Sequence, residues 1–276
     1  TADGLTLTAD DYGPAHSRRV VLCLPGLSRN ARDFTDVATA LSSPSATGAV
    51  RVIALELRGR GRSQWAPAET YTAIHEMNDV IAALDQWGLQ RVDLLGTSRG
   101  GLIAMLMAMQ APDRLRRVIL NDIGPFIEPT GLERIGASVG TTMTFASYAA
   151  IAKDMSERLG TQFTRLTPDL GERFARQLAS DNDDGGVTLD YDPTLAEGLA
   201  GYTADQPTPD FWPAFDALAR RPVLTIRGAH SDLLSAATME AMRRRHGRMR
   251  SHVVAGEGHA PLLWDRPAIE AIRSFI

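Results

Sequence analysis

The sequence predicts an α/β protein: a mostly parallel β-sheet with helices on both faces. Three observations predict it. Apolar runs at 18–24, 50–56, 117–122 and 222–227 are continuous rather than alternating, as in strands buried on both sides. Helical segments at about 31–41, 70–87 and 103–109 separate them, and strands alternating with helices build a parallel sheet. Finally, the apolar stretch Val92-Asp93-Leu94-Leu95 drives into Gly96-Thr97-Ser98-Arg99-Gly100 and then into a helix closed by Pro112. That order is strand, sharp turn, helix.

The turn is where the chemistry is expected. Glycines at 96 and 100 remove Cβ atoms where the strand and helix backbones nearly touch, so Ser98 can stand at the tip of a strained turn with its hydroxyl exposed. The first amides of the following helix point toward negative charge developing beside that hydroxyl. Gly-x-Ser-x-Gly alone occurs by chance in a chain with 24 glycines. The strand before it and the helix after it supply the context that the motif requires.

Composition sets wide bounds. With 276 residues, 44% of them hydrophobic, the chain can bury one large α/β core with an insertion. A net charge of -4 gives no reason to expect nucleic acid or a membrane surface as partner, and no apolar run reaches the ~18 residues of a membrane span. The basic run 243–248 falls at the end of a helix, where cations complement the dipole. The single cysteine, Cys23, sits inside an apolar strand, which excludes a disulfide framework and reads as a buried thiol. There is no signal-peptide pattern, and the sequence does not open on Met; a trimmed chain in the cytoplasm, a monomer or small homo-oligomer, is the expectation.

In chain order, residues 4–13 form a weak edge strand, and the strand at 18–24 runs into Pro25-Gly26-Leu27-Ser28. That loop can raise the Leu27 amide toward the same sheet edge as the strained turn at Ser98, the elbow, although alone it reads as an ordinary strand-to-helix turn. The loop Arg58-Gly59-Arg60-Gly61-Arg62-Ser63 lacks both the P-loop ending and the dinucleotide fingerprint, so it is no nucleotide site. Ile74, Met77, Ile81 and Leu84 make one helical stripe. From 125 to 212 the alternation stops and short helices dominate; the acidic run at 181–186 lacks an EF-hand's pattern and reads as a solvated turn. Strand character resumes at 222–227, followed by Gly228-Ala229-His230-Ser231-Asp232, and at 251–255, followed by Gly256-Glu257-Gly258-His259. Ser98, Asp232 and His259 thus each follow a strand's carboxyl end, the edge where open α/β sheets bind ligands.

These pieces, in this order, resemble the α/β-hydrolase superfamily over essentially the whole chain. Pro25-Gly26 stands where many relatives carry His-Gly, and Glu56 where they carry Asp before Arg-Gly. The resemblance implies an eight-stranded, mostly parallel sheet with a helical cap: a core of 1–124 and 213–276, and a lid of 125–212. It also implies a serine hydrolase with Ser98 as nucleophile, His259 as general base and Asp232 as orienting acid, with the amides of Leu27 and Arg99 as oxyanion hole. Asp122, ending the preceding strand, is the runner-up for the acid, since some relatives recruit it there. Such chemistry needs no metal or organic cofactor. The expected substrate is a small carboxylic ester, lactone or thioester. Alternatives are a C–C bond hydrolase of a vinylogous diketone, with Arg99 holding a carboxylate, or a slow-turnover ligand sensor. For Arg99 a packing role behind the elbow ranks first. Trp212 and Trp264 are expected in core packing, and the other histidines at the surface or in packing roles.

Overall fold

A computed structural model describes residues 1–43 and 48–276. In chain order the strands and helices are β1 (Ala9–Tyr12), β2 (Val20–Leu24), α1 (Thr35–Ser42), β3 (Arg51–Leu55), α2 (Ala73–Gln86), β4 (Val92–Thr97), α3 (Arg99–Gln110), β5 (Leu115–Asn121), α4 (Pro129–Ser138), β6 (Thr144–Phe145), α5 (Tyr148–Leu159), α6 (Pro168–Leu178), β7 (Ala179–Asp181), β8 (Val187–Leu189), α7 (Trp212–Asp216), β9 (Val223–Gly228), α8 (Ala236–Arg245), β10 (Met249–Val254) and α9 (Arg266–Phe275).

Among the described residues the main sheet has seven strands, in the order β1-β3-β2-β4-β5-β9-β10, where eight were expected. Only β1 runs antiparallel, pairing Ala9 with Leu55 and Tyr12 with Val52 at the edge. Of the expected 4–13 strand, residues 9–12 form the paired strand β1. The other pairings are parallel.

Helices cover both faces, which is why the inner strands read as unbroken apolar runs. Val20, Leu22 and Leu24 of β2 and Leu94 of β4 pack toward α2 and α3. The alternate residues Val21, Cys23 and Leu95 join the layer beneath α1 and α9. Side chains two apart on a strand share a face, so one strand feeds both layers. Helix starts carry side-chain caps: Thr72 accepts from the His75 amide, Ser147 from Ala150, Ser235 from Thr238 and Asp265 from Ala268.

Strand order reverses between β2 and β4, which lie side by side with Leu24 opposite Gly96. The loops after these two strands therefore rise together at the topological switch point, where such sheets open a crevice.

Between β5 and β9 lies the insert. It is not wholly helical as expected: α4, α5 and α6 are joined by a small antiparallel sheet ordered β6-β8-β7. The acidic run at 181–186 is the turn of the β7–β8 hairpin, in which Asn182 accepts from the amides of Asp184 and Gly186. No helix among the described residues is long and apolar enough to cross a membrane.

Helix α3 approaches the sheet so closely that a Cβ on Gly100 would lie 2.2 Å from the Leu24 carbonyl oxygen, whereas one on Gly198 would meet nothing within 4 Å. Gly100→Ala is therefore expected to destabilise the fold by about 3 kcal/mol and Gly198→Ala to change it by less than about 0.5 kcal/mol, both read from urea unfolding.

Candidate active site

Ser98 sits between β4 and α3 with φ +48°, outside the range of ordinary L-residue backbone. A Cβ on Gly96 would fall 2.4 Å from the main chain of Gly100, so bare backbone at both positions lets the turn close. The Ser98 amide donates to the Asn121 carbonyl, and the Gly100 amide to the Pro25 carbonyl, locking the elbow to β5 and to the loop after β2.

His259, in the loop after β10, brings Nε2 to 2.9 Å from Ser98 Oγ. Its Nδ1 lies 2.8 Å from Asp122 Oδ2. A carboxylate at Nδ1 fixes the tautomer: Nδ1–H donates to Asp122, and bare Nε2 accepts from the serine hydroxyl. Asp122 is fully buried at the end of β5, with φ +55°. It also accepts from the Gly228 amide at 2.8 Å and from Ser231 Oγ at 2.5 Å. With three donors on the carboxylate, the side chain has no freedom to leave the imidazole.

Asp232, the acid expected from its place after β9, does not contact the imidazole. Arg134 of α4 holds it in a two-pronged ion pair at 2.6 and 2.9 Å, and Gln162 Nε2 donates to it at 2.8 Å. Gln162 Oε1 in turn accepts from the His259 amide at 3.2 Å. Burial pushes the Asp232 carboxyl up, yet the hydrogen bonds and charge of Arg134 outweigh it and hold the group below the usual carboxylate range. The expected Asp232–His259 contact is absent because both aspartates lie in loops beyond a strand's carboxyl end, and the path of the His259 loop decides which one it meets.

Among the described residues the amides of Leu27 and Arg99 have no hydrogen-bond partner. An N–H in the first turn of a helix has no intrahelical acceptor, and Leu27 lies in the adjacent loop. The Arg99 side chain turns away from the cavity, donating from Nε to Glu76 at 2.6 Å and from Nη2 to the Tyr71 carbonyl at 2.8 Å. Trp212 packs edge-on to Phe215, and Trp264 on Phe174. His246 is buried against the Leu218 carbonyl.

Ser98 and His259 open onto a cavity of about 500 Å³ between the sheet edge and the insert. Its wall is largely apolar, with Val139, Ile151, Phe163 and Leu178 from the insert side. Arg134 and Arg158 supply charge there, each already facing an aspartate. Sequence reading did not single out Arg134, Gln162 or Glu76, because each is an ordinary polar residue of a helix or loop until the fold supplies its partner.

The comparisons show the family and the fold. A 3-hydroxybutyrate-oligomer hydrolase of Cupriavidus necator is 34% identical over 271 residues, covering 95% of this chain and 89% of that protein. A crystal structure of an alpha/beta hydrolase from Novosphingobium aromaticivorans matches with TM-score 0.90 and 39% identity, over 100% of this chain and 95% of that one. The crystal structure of E-2-(acetamidomethylene)succinate hydrolase matches with TM-score 0.80 and 25% identity, over 98% and 95%. The model of the alpha/beta hydrolase family matches residues 21–271, and the chain belongs to that family.

Proposed function

We propose that this hydrolase cleaves carboxylic esters through an acyl-enzyme, with Ser98 as nucleophile, His259 as general base, Asp122 as orienting acid and the Leu27 and Arg99 amides as oxyanion hole. The observation that carries the reading is the unbroken line from Asp122 through His259 to Ser98, at 2.8 and 2.9 Å. Residues 125–212 act as a lid over the cavity in this reading.

The serine hydroxyl attacks the ester carbonyl while Nε2 takes its proton. Asp122 stabilises the imidazolium without itself being protonated. The two amides meet the oxyanion of the tetrahedral intermediate, each worth about 3 kcal/mol in comparable sites. Collapse expels the alcohol, which leaves with the proton from Nε2. Water then attacks the acyl carbonyl along the same path, and the carboxylic acid departs from a regenerated serine.

For substrate class we infer short oligoesters of aliphatic hydroxy acids. The named activity of the Cupriavidus relative, which matches nearly end to end, supports this, as does an apolar cavity large enough for a few such units. A second reading, hydrolysis of an acidic enamide, draws on the acetamidomethylene-succinate neighbour and on Arg134 and Arg158 in the cavity wall. The diketone reading loses its support, since Arg99 is engaged with Glu76 away from the cavity.

Turnover of dimeric and trimeric hydroxybutyrate esters, nitrophenyl esters and acetamidomethylene succinate separates these readings. Ester turnover well above that on the enamide is expected, and the reverse order would establish the second reading. Ser98→Ala is expected to reduce turnover to background. Asp122→Asn should lower kcat by about 10⁴-fold, as wrong-tautomer histidines do, and Asp232→Asn by less than about tenfold. If Asp232→Asn suffers the larger loss, the acid has been misassigned.

The Asp232–Arg134 pair makes a separate prediction. Because the folded carboxyl is held below its unfolded value of about 3.9, its stabilisation is present above that pH and is lost as pH falls through the folded value. Asp232→Asn should therefore be less stable than the parent at pH 7, with the gap between their urea midpoints narrowing below about pH 4.

A further inference from the structure

Behind the elbow lies a buried charge cluster whose members touch both candidate oxyanion residues. Glu76, in the first turn of α2, is fully buried, and its two oxygens face different guanidinium groups. Oε2 accepts from Arg99 Nε at 2.6 Å. Oε1 lies 2.7 Å from Nη1 of Arg60, which is also fully buried. Arg60 then donates from Nε to the main-chain carbonyl of Leu27 at 2.7 Å and from Nη1 to that of Arg58 at 2.5 Å.

On the ester-hydrolase reading above, we propose that Glu76 is a positioning residue that sets the two halves of the oxyanion hole through Arg60 and Arg99. The Leu27 amide lies in a loop, and loops do not hold a donor to the fraction of an ångström that oxyanion stabilisation requires. Gripping the carbonyl of the same residue with a buried guanidinium removes that freedom. Arg60 stays in so dry a place because Glu76 neutralises it. The same carboxylate ties down the residue that supplies the second amide. Glu76 is anchored by the core, since Met77, Val80 and Leu84 of its helix are fully buried. Burial alone would raise its carboxyl; the charges of Arg60 and Arg99 bring it below the ordinary value, so it stays ionised.

A neighbouring pair provides the control. Arg58 and Asp79 are also buried and joined by bonds of 2.6 and 2.7 Å, yet their side chains reach neither Leu27 nor Arg99. A merely structural role for Glu76 predicts that breaking either pair has similar consequences. Positioning predicts that they differ.

The test measures kcat, KM, the affinity of a boronic acid that forms a tetrahedral adduct on Ser98, and the urea midpoint, for the parent, Glu76→Gln and Asp79→Asn. Glu76→Gln is expected to lose at least about tenfold in kcat and in boronate affinity together, with KM changed less than about threefold. Asp79→Asn should lower the urea midpoint while kcat and boronate affinity stay within about threefold of the parent. If Glu76→Gln does not fold, Arg99→Met removes one arm and leaves Glu76 paired with Arg60; the same parallel loss is expected. Parent-like kcat and boronate affinity in a folded Glu76 or Arg99 variant overturn the proposal, as does an equal loss in Asp79→Asn. A parent that neither turns over esters nor is labelled at Ser98 by a fluorophosphonate overturns the hydrolytic reading and this one with it.

Discussion

The site depends on one steric fact: helix α3 lies against β2 and β4 with no room for a methyl group at Gly96 or Gly100. That approach forces Ser98 into positive φ, lifts its hydroxyl above the sheet and leaves the Arg99 amide at the open end of the helix. It also sets the elbow beside the loop after β2, because Leu24 and Gly96 are register partners. Candidate nucleophile and candidate oxyanion donors thus share a single cause, the close contact of two backbones at the point where strand order reverses.

What could be read from the sequence follows from how local each determinant is. The inner strands, the Gly96–Gly100 turn and its helix are encoded by contiguous residues, and the structure places them as expected. His259 also meets Ser98, although the two lie 161 residues apart in the chain. Which aspartate meets His259 was not legible, since Asp122 and Asp232 both lie beyond the carboxyl ends of apolar strands and the sequence does not show the path of the loop opposite them. One signal was present: Ser231, within Gly-Ala-His-Ser-Asp, turns its hydroxyl back to Asp122, so the motif that pointed to Asp232 helps to hold its rival. The small β6-β8-β7 sheet escaped because strands of two or three residues carry no usable period.

Beneath the site, charge is distributed unevenly. Glu76 and Arg60 are fully buried, and taking such groups from water is costly unless partners surround them. The cluster offsets part of that cost with main-chain acceptors at Leu27, Arg58 and Tyr71 and with the ion pairs, while Arg60 Nη2 and Glu76 Oε1 make no hydrogen bond among the described residues. An apolar replacement of similar volume would fill the space with less desolvation, but it could not hold a carbonyl in a loop. Retaining charge at this depth is better explained by orientation than by stability.

The contact between Asp122 and His259 has a consequence for the insert. Asp122 needs the loop after β9 only for donors, the Gly228 amide and the Ser231 hydroxyl, so the carboxylate of Asp232 is free to face the other way. There it grips Arg134 of α4 and Gln162, both belonging to the insert, and Gln162 passes the contact on to the His259 amide. The connection is mechanical: the loop carrying the imidazole is tied to the wall of the cavity through a half-buried ion pair and one amide side chain. Movement of α4 away from the sheet would have to break the Arg134 pair, and the same movement would loosen the support on which the histidine loop rests.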